Sequence, residues 1–331
     1  MRIAIDAYGS DNAPFPEVEG AIIAITEDLC EKIYLVGKEE ELKKELSKYF
    51  YDEKRIEIVP ATEIISMDDK PATIVKKKKD SSLVKSILLH KEGIVDGVVS
   101  AGNTGAVMAA SLFTYGRIKN VLRPAIAITL PTQKNPEIIL DVGANVDCNE
   151  DNLLQFAILG SLYSRFFYKN ENPKVALLNI GEESSKGNDL SKAAYKKLSE
   201  FKDINFVGNI EGKAMLKGNV DVVVCDGFVG NVVLKTVEGV AYSIFSMMKE
   251  QFKKDWIAKL GALLSYPVFS YLKKKLDHSE HGGALLIGLN GSTIVAHGSS
   301  DAKAIKNAVR VSVKIAKSGF IQHAKEYFEE L

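Results

Sequence analysis

Short apolar runs alternate with stretches of helical periodicity along most of this 331-residue chain. Residues 2–7, 32–37 and 55–61 have the pattern of strands, and helical patterns at 14–29 and 39–50 separate them. This is the order of a βαβαβ unit. The alternation continues with strands predicted at 98–99, 125–130, 137–141, 174–180, 204–207, 220–225, 284–289 and 293–296, and with helices predicted at 83–90, 150–168 and 302–318 and from residue 190 onward.

Strands that are joined through helices pair side by side in a parallel sheet, which carries helices on both faces. The link between 125–130 and 137–141 is too short for a helical crossover, so we expect an antiparallel hairpin there. The sequence therefore predicts the α/β class, as a three-layer α/β/α sandwich with a mostly parallel sheet, in a single domain over 1–331.

Small, amide and hydroxyl residues follow most of the predicted strands. Because ligands of open α/β sheets bind beyond the carboxyl ends of the strands, we expect these turns to meet at one rim. Their glycine N–H groups, amides and hydroxyls, with one conspicuous cation, suit a phosphate-like anion beside a carbonyl oxygen that gains charge. The candidate residues are Gly102, Asn103, Thr104, Asn145, Lys186, Asn188, Asn231, His297 and Ser299.

Composition and absent motifs argue against several classes of protein. The 43 basic and 43 acidic residues balance to a formal net charge of +0, which gives no electrostatic footprint for nucleic acid. No apolar run predicts a membrane span and no secretory signal is apparent, so we expect a cytoplasmic protein. The three cysteines have no metal-binding spacing, and GxGxxG, GxxxxGK[ST], GxSxG and HExxH are all missing. We expect neither a metal nor a bound cofactor, and we expect Cys225 to pack in the core rather than to carry an acyl group.

A reaction that suits these turns needs no nucleophile from the protein. Inorganic phosphate is itself a competent nucleophile near neutral pH, and a thiolate leaves readily because the thiol pKa is about 8.5. Attack of phosphate on a thioester therefore requires mainly positioning and stabilisation of the oxyanion. This hypothesis follows from the residue types on the predicted rim.

Seven motifs in order resemble those of the bacterial phosphate acyltransferases, the acyl-acyl carrier protein:phosphate transacylases of phospholipid synthesis. The resemblance extends from the first residue nearly to the last. The motifs are DAYGSDNAP at 6–14, KKKKDSS at 76–82, VSAGNTGAVMAAS at 99–111, LDVGANVDC at 140–148, LLNIGEESSKGND at 177–189, CDGFVGNVVLKTVEG at 225–239 and HGSSDAKAIKNA at 297–308.

The resemblance implies that acyl phosphate is formed from acyl-acyl carrier protein and inorganic phosphate and is then used by a membrane glycerol-3-phosphate acyltransferase. It implies homodimers with a fold similar to that of isocitrate and isopropylmalate dehydrogenases and phosphotransacetylases. It makes Lys186 the phosphate-binding cation and Asn231 the essential amide, with the other rim residues as weaker substrate-binding candidates. Asn12 and His281 depart from the usual histidine and tyrosine, which leaves any catalytic duty at these positions in doubt.

Residues 240–276 form a second distinctive region. Trp256, Ile257, Leu260, Leu263 and Leu264 share one helical face, with lysines nearby and Pro267 after them. Such a stripe is typical of a core, a dimer interface or a helix that lies in a membrane surface. We expect dimerisation through 240–252 and contact with an anionic membrane through 256–269, so that the protein is peripherally membrane-associated. The lysines of this region, including 273–275, are possible docking points for an acidic carrier protein.

Two other functions stay open at this point. One is a short-chain phosphotransacetylase that acts on acyl-CoA, and the other is a catalytically silent membrane scaffold for lipid-synthesis enzymes. The apolar 240–269 region argues against the first, and intact Lys186 and Asn231 argue against the second. A dehydrogenase on the same fold is disfavoured because the dinucleotide motif is missing.

Overall fold

A computed structural model describes residues 1–276, 280 and 282–331. The strands in this part of the chain form one sheet. They are β1 (Arg2–Asp6), β2 (Lys32–Gly37), β3 (Ile56–Pro60), β4 (Gly97–Ser100), β5 (Ala125–Leu130), β6 (Glu137–Leu140), β7 (Lys174–Asn179), β8 (Asn205–Glu211), β9 (Val222–Val224), β10 (Ala284–Ile287) and β11 (Thr293–Val295).

Helices cover both faces of this sheet and extend from one side of it. They are α1 (Phe15–Thr26), α2 (Glu39–Leu46), α3 (Pro71–Lys77), α4 (Ser82–Lys91), α5 (Thr104–Tyr115), α6 (Glu150–Tyr168), α7 (Asp189–Glu200), α8 (Gly212–Met215), α9 (Gly227–Lys254), α10 (Trp256–Leu264), α11 (Tyr266–Leu276), α12 (Ala302–Ser318) and α13 (Phe320–Glu330).

The strand order is β3-β2-β1-β4-β11-β10-β5-β6-β9-β7-β8, and the direction of the strands changes in the middle. The outer groups are parallel within themselves, but β10 is antiparallel to both β11 and β5, and β5 is antiparallel to β6. Three reversals leave β6, β9, β7 and β8 running opposite to β1, β2, β3, β4 and β11. The carboxyl ends of the two groups therefore lie at opposite edges of the sheet.

Alternating side chains of the strands enter two separate apolar cores. In β1, Ile3 and Ile5 belong to the core beneath α1, α6 and α12, whereas Ala4 belongs to the core beneath α4 and α5. All three side chains are fully buried. The helix-covered faces confirm the predicted three-layer α/β/α arrangement, and the β5–β6 hairpin confirms the antiparallel connection expected from its short link.

Helices α3 and α13 were not predicted from the sequence. In α13 the buried residues Phe320, Ala324 and Phe328 recur every four positions, which is a helical signal that the long pattern of α12 obscured. Helix α3 has only seven residues and ends in the lysine run, so it is too short to show a clear helical period. Lys76 and Lys77 are exposed, as expected of a solvated helix face.

The second half of α9 projects from the sheet together with α10 and α11, and we call 240–276 the helical arm. Phe252 of α9 packs edge-to-face on Phe269 of α11, with ring centroids 5.2 Å apart. Most of the other large apolar side chains are exposed. These are Val240, Tyr242, Ile244, Met247, Trp256, Ile257, Leu260, Leu263, Leu264, Tyr266, Val268, Tyr271 and Leu272.

One helix among the described residues is long and apolar enough to cross a bilayer by length and composition, although the sequence pattern predicted no span. It is α9, and only 6% of its most apolar window is buried. Its first turn, however, is anchored in the body of the fold through the buried Gly227 and Gly230. The observation marks α9 as an unusually exposed apolar helix.

Glu137 is a buried acid in the β5–β6 hairpin. It lies opposite Leu130 in the register, is fully buried, and neither carboxylate oxygen has a hydrogen-bond partner among the described residues. Burial, with a smaller contribution from the charge of Asp221, raises the pKa of Glu137 to about 8. The folded chain therefore holds this proton more tightly than the unfolded chain does.

We predict that the stabilisation by protonated Glu137 is present below the ordinary pKa near 4.5 and is lost as the pH rises toward 8. Glu137→Gln stays neutral, so its melting temperature relative to wild type should be higher at pH 8.5 than at pH 5. Thermal unfolding followed by circular dichroism at the two pH values measures this difference. An equal difference at both pH values would contradict the prediction.

Candidate active site

The larger of two clefts next to α9 has a volume of about 640 Å³ and lies between the first turn of α5 and the first half of α9. Its floor is apolar and is formed largely by Ile126, Ile128 and Leu130 of β5. Leu234 and Val237 of α9 form the facing wall. The polar and charged residues that line the cleft are Asp11, Thr104, Thr129, Asn231, Lys235, Glu238, His297 and Ser300.

A buried hydrogen-bond chain fixes the turn after β4. The Oγ of Ser100 donates to Oδ2 of Asp6 at 2.7 Å and accepts from the N–H of Gly102 at 3.2 Å. The turn after β1 packs against it so closely that a Cβ on Gly9 would lie 2.7 Å from the nitrogen of Gly102. Two motifs singled out in the sequence thus hold each other, and Gly102 lines the larger cleft.

Asn103 is the N-cap of α5. Its Oδ1 accepts from the N–H of Ala106 at 3.0 Å, and its Nδ2 donates to the carbonyl of Met67 at 2.6 Å. These bonds commit the Asn103 side chain to the fold. The next residue, Thr104, is exposed and lines the cleft.

His297 follows β11 and lines the same cleft. Its Nδ1 lies 2.8 Å from Oγ of Ser299 and accepts from the N–H of Ser299 at 3.2 Å. Because a backbone N–H can only donate, the neutral ring carries its proton on Nε2. The carbonyl of Gly298 accepts from the N–H of Asp11 at 2.8 Å, which joins this loop to the turn after β1. Ser299 therefore orients the imidazole rather than lining the cleft.

The first turn of α9 is seated on the loop after β6. Asp226 is the N-cap, and its Oδ1 accepts from the N–H of Val229 at 2.9 Å. The N–H of Gly227 donates to the carbonyl of Asn145 at 2.7 Å. A Cβ on Gly230 would lie 1.9 Å from the carbonyl oxygen of Asp141, so only glycine permits this approach.

Asn231 is therefore inside α9, five residues after the cap, and is not the cap itself. Its side chain is exposed, lines the larger cleft, and has no hydrogen bond within the part of the chain that the structure describes. The backbone at Gly143 is so near that a Cβ there would lie 3.7 Å from Cγ of Asn231. The amide is thus available to a ligand.

The carboxylate of Asp141 organises the loop after β6. It is fully buried and accepts five N–H bonds between 2.7 and 3.2 Å long. Burial raises the pKa of Asp141, and these bonds oppose that rise. The donors are the backbone N–H groups of Ile126, Gly143, Ala144 and Asn145 and the side-chain Nδ2 of Asn145.

Asn145 is occupied by this network. Its Nδ2 donates to Oδ2 of Asp141 and to the carbonyl of Pro124, both at 2.8 Å, and the residue is only 8% exposed. Both amide hydrogens are thereby used. Asn145 holds the loop in place and has no donor left for a substrate.

Lys186 lies on the exposed loop after β7 and lines neither cleft. Among the described residues it forms no ion pair, and the carbonyl of Lys186 accepts from Nδ2 of Asn179 at 3.1 Å. Gly187 and Asn188 line a second cleft of about 440 Å³, which has Val229 of α9 in its wall. Asn188 also caps α7, because its Oδ1 accepts from the N–H of Ser191 at 2.8 Å.

The expectation that all candidate turns meet at one rim is wrong. Gly102, Thr104 and His297 follow strands of one direction, whereas Asn145, Lys186 and Asn231 follow strands of the other. Adjacent strands of a sheet are rotated by roughly 20–25° relative to one another, and β9 is the fifth strand after β4 in the order. This accumulated twist brings part of the second group toward the larger cleft. Asn231 thus reaches the cleft of Gly102, while Lys186 and Asn188 stay beside the second cleft.

The sequence interpretation missed Lys235, Glu238 and Asp11. Lys235 follows Asn231 by four positions on α9, so both side chains occupy one face of the helix. The spacing within CDGFVGNVVLKTVEG contained that signal. The turn residues of this motif carry the more distinctive composition, and Lys235 and Glu238 have the pattern of an ordinary helix face.

The remaining candidates receive less support from the geometry. Asn12 is exposed and does not line either cleft, and His281 lies outside the described residues. Cys225 is buried, and burial raises the pKa of its thiol well above the ordinary value, which favours packing over acylation. No group of three His, Cys, Asp or Glu side chains among the described residues could hold a metal ion.

Known proteins of similar fold include phosphotransacetylases and a dehydrogenase. A phosphotransacetylase from Streptococcus pyogenes superposes with a TM-score of 0.64 at 17% identity, over 96% of this chain and 94% of that chain. A 4-hydroxythreonine-4-phosphate dehydrogenase from Burkholderia phymatum superposes with a TM-score of 0.53 at 12% identity, over 95% and 98% of the two chains. The molecule thus has the fold of phosphotransacetylases and of this dehydrogenase.

Closer relatives define the family. The model described as "Fatty acid synthesis protein" matches residues 1–323. The phosphate acyltransferase of Dictyoglomus turgidum is 53% identical over 319 residues, which cover 96% of this chain and 94% of the relative. That of Clostridium perfringens is 49% identical over 326 residues, which cover 98% and 96%. The chain belongs to this fatty acid synthesis protein family and is an enzyme of the phosphate acyltransferase type.

We predict that Asp141→Asn destabilises the fold by about 2–4 kcal/mol, because an amide NH2 would face N–H donors that now bind a carboxylate oxygen. Urea unfolding measures the loss. Asp147→Asn, on the exposed part of the same loop, is the matched control and should change the free energy of unfolding by less than about 0.5 kcal/mol. Equal effects of the two substitutions would contradict the central place of Asp141.

Proposed function

We propose that this enzyme transfers a long-chain acyl group from the thioester of an acyl carrier protein to inorganic phosphate, as the first step toward phosphatidic acid. The observation that carries the proposal is the composition of the larger cleft. An apolar floor from Ile126 to Leu130 suits an acyl chain, and the cleft also exposes the free amide of Asn231. The family description and the names of the relatives agree with this substrate class.

The transfer would proceed without a covalent enzyme intermediate. A phosphate oxygen attacks the thioester carbon, a C–O bond forms, and the carbonyl oxygen becomes an oxyanion. The C–S bond then breaks, the carbonyl reforms, and the carrier thiolate takes up a proton. Nδ2 of Asn231 would donate to the oxyanion, and Thr104 with the N–H groups at the start of α5 would bind phosphate oxygens.

His297 and Gly102 would contribute from the same side of the cleft. His297 lines the cleft, with Ser299 keeping the ring oriented, and would contact a phosphate or carbonyl oxygen there. Lys186 stays a candidate cation. It precedes Gly187 and Asn188, which line the second cleft together with Val229 in the first turn of α9. Its action on phosphate in the larger cleft would require the exposed loop after β7 to fold over that turn.

The first test is thiol release by the purified protein from palmitoyl-acyl carrier protein, palmitoyl-CoA and acetyl-CoA, each with and without inorganic phosphate. We expect phosphate-dependent release from the carrier protein, and a loss of at least about 100-fold in Asn231→Ala because an oxyanion donor is removed. Lys186→Ala in the same assay tests the candidate cation on the loop after β7.

Release from acetyl-CoA alone would contradict the long-chain proposal and favour a short-chain phosphotransacetylase. No release from any donor would contradict transfer altogether and favour a scaffold. Release that does not depend on phosphate would indicate thioester hydrolysis.

We propose further that a second copy of the chain covers the apolar side chains of 240–252 in the helical arm. An anionic membrane surface covers those of 256–269. Trp256, Leu263 and Leu264 are each more than 70% exposed, and Lys253 and Lys254 precede them on α9. Apolar side chains flanked by lysines are typical of helices that lie in a membrane surface. Acyl phosphate made there would be close to a membrane acyltransferase.

Leu260→Glu with Leu263→Glu should reduce binding to vesicles of phosphatidylglycerol and phosphatidylcholine at least tenfold, since two carboxylates would enter the apolar layer. Co-sedimentation with the vesicles measures binding, and thiol release should stay near the wild-type rate. Phe50→Glu, a fully exposed apolar position on the body, is the control. Unchanged binding of the double variant would contradict the membrane role.

A further inference from the structure

The larger cleft also contains a lysine, Lys235, on α9. Among the described residues that line this cleft, Lys235 is the one lysine or arginine. It lies one helical turn after Asn231 on the same face of α9. The amide proposed to bind the reacting oxygen therefore has a cation beside it that comes from the same rigid helix.

Lys235 forms an ion pair with a carboxylate that another anion can replace. Its Nζ lies 2.8 Å from Oε2 of Glu238, and the two side chains are 53% and 32% exposed. Pairs this exposed contribute little to stability, so exchanging the partner costs little. An incoming phosphate can take the place of Glu238 without unfolding any element.

The charges around the cleft make such a cation necessary. Asp11 and Glu238 both line it. Without Lys235 the cleft would present two carboxylates and no lysine or arginine to a phosphate that carries one to two negative charges. Taking such an anion from water into a partly apolar cleft is unfavourable unless it is paired.

We propose that Lys235 binds the phosphate group in the larger cleft, both as inorganic phosphate and as the phosphoryl group of the product. Glu238 holds the ammonium group toward the cleft and is the partner that phosphate displaces. The inference rests on the proposed function, because it names the cation of that same site.

Lys235→Gln tests the charge while keeping much of the side-chain length. A charge-assisted hydrogen bond to phosphate would be lost, so the KM for inorganic phosphate in the thiol-release assay should rise roughly 10- to 100-fold. Lys235→Arg should restore most of the affinity. The KM for the acyl donor should change less than about threefold, and Lys44→Gln on α2, which lines neither cleft, should match wild type.

Glu238→Gln should change the KM for phosphate in the opposite direction to Lys235→Gln. Removing the competing carboxylate should lower the KM for phosphate in the wild-type background. In the Lys235→Gln background the same substitution should lower the KM for phosphate less, because removing Glu238 improves phosphate binding by freeing the ammonium group of Lys235. Equal effects of Glu238→Gln in both backgrounds would overturn the exchange between Glu238 and phosphate.

Binding of inorganic phosphate alone, measured by phosphorus NMR titration, separates this inference from the proposed function. If wild type releases thiol with phosphate but Lys235→Gln leaves the KM for phosphate unchanged, the inference is overturned and the function stands. If wild type releases no thiol, the proposed function fails. In that case, loss of phosphate binding in Lys235→Gln would still support a phosphate site at Lys235. Equal phosphate binding by the variant and wild type would overturn that site.

Discussion

The buried carboxylate of Asp141 is the contact on which the geometry of the cleft depends. Five N–H groups converge on it, from β5, from the loop after β6 and from the side chain of Asn145. The first turn of α9 packs at Gly230 directly against the backbone oxygen of the same residue. One residue thus links the floor of the larger cleft to the helix that presents Asn231 and Lys235 to it.

The arrangement gives one cleft both an apolar floor and polar groups from two sides. The strands of the floor are in the middle of the sheet, where the antiparallel pairs reverse its direction and two groups of strands present opposite edges. The fold therefore brings polar groups to the cleft from both sides, through the loops after β4 and β11 and through α9. Rigid elements with short internal hydrogen bonds hold those groups in place before any substrate binds.

The sequence predicted much of the fold because its signals are local. The apolar periodicity over Glu150–Tyr168 and Ala302–Ser318 matched the observed helices, and the short link at 131–136 required a hairpin. The partition of the candidate residues between two clefts could not be predicted in this way. It depends on which strands become neighbours across the sheet. The two antiparallel pairings of β10 cancel, so β5 runs in the same direction as β11, and the hairpin to β6 leaves β6, β9, β7 and β8 opposite to the first group. Asn145 illustrates the same limit, since only its position between Asp141 and Pro124 reveals that its amide is already used.

A crystal structure of the enzyme with a long-chain acyl phosphonate, a stable analogue of acyl phosphate, tests most directly whether the larger cleft is the site of transfer. We expect the alkyl chain to lie over Ile126, Ile128 and Leu130. The acyl oxygen should lie within hydrogen-bond distance of Asn231, and the phosphonate within reach of Thr104 and Lys235. A phosphonate bound in the second cleft beside Gly187 and Asn188, with the larger cleft empty, would contradict the account.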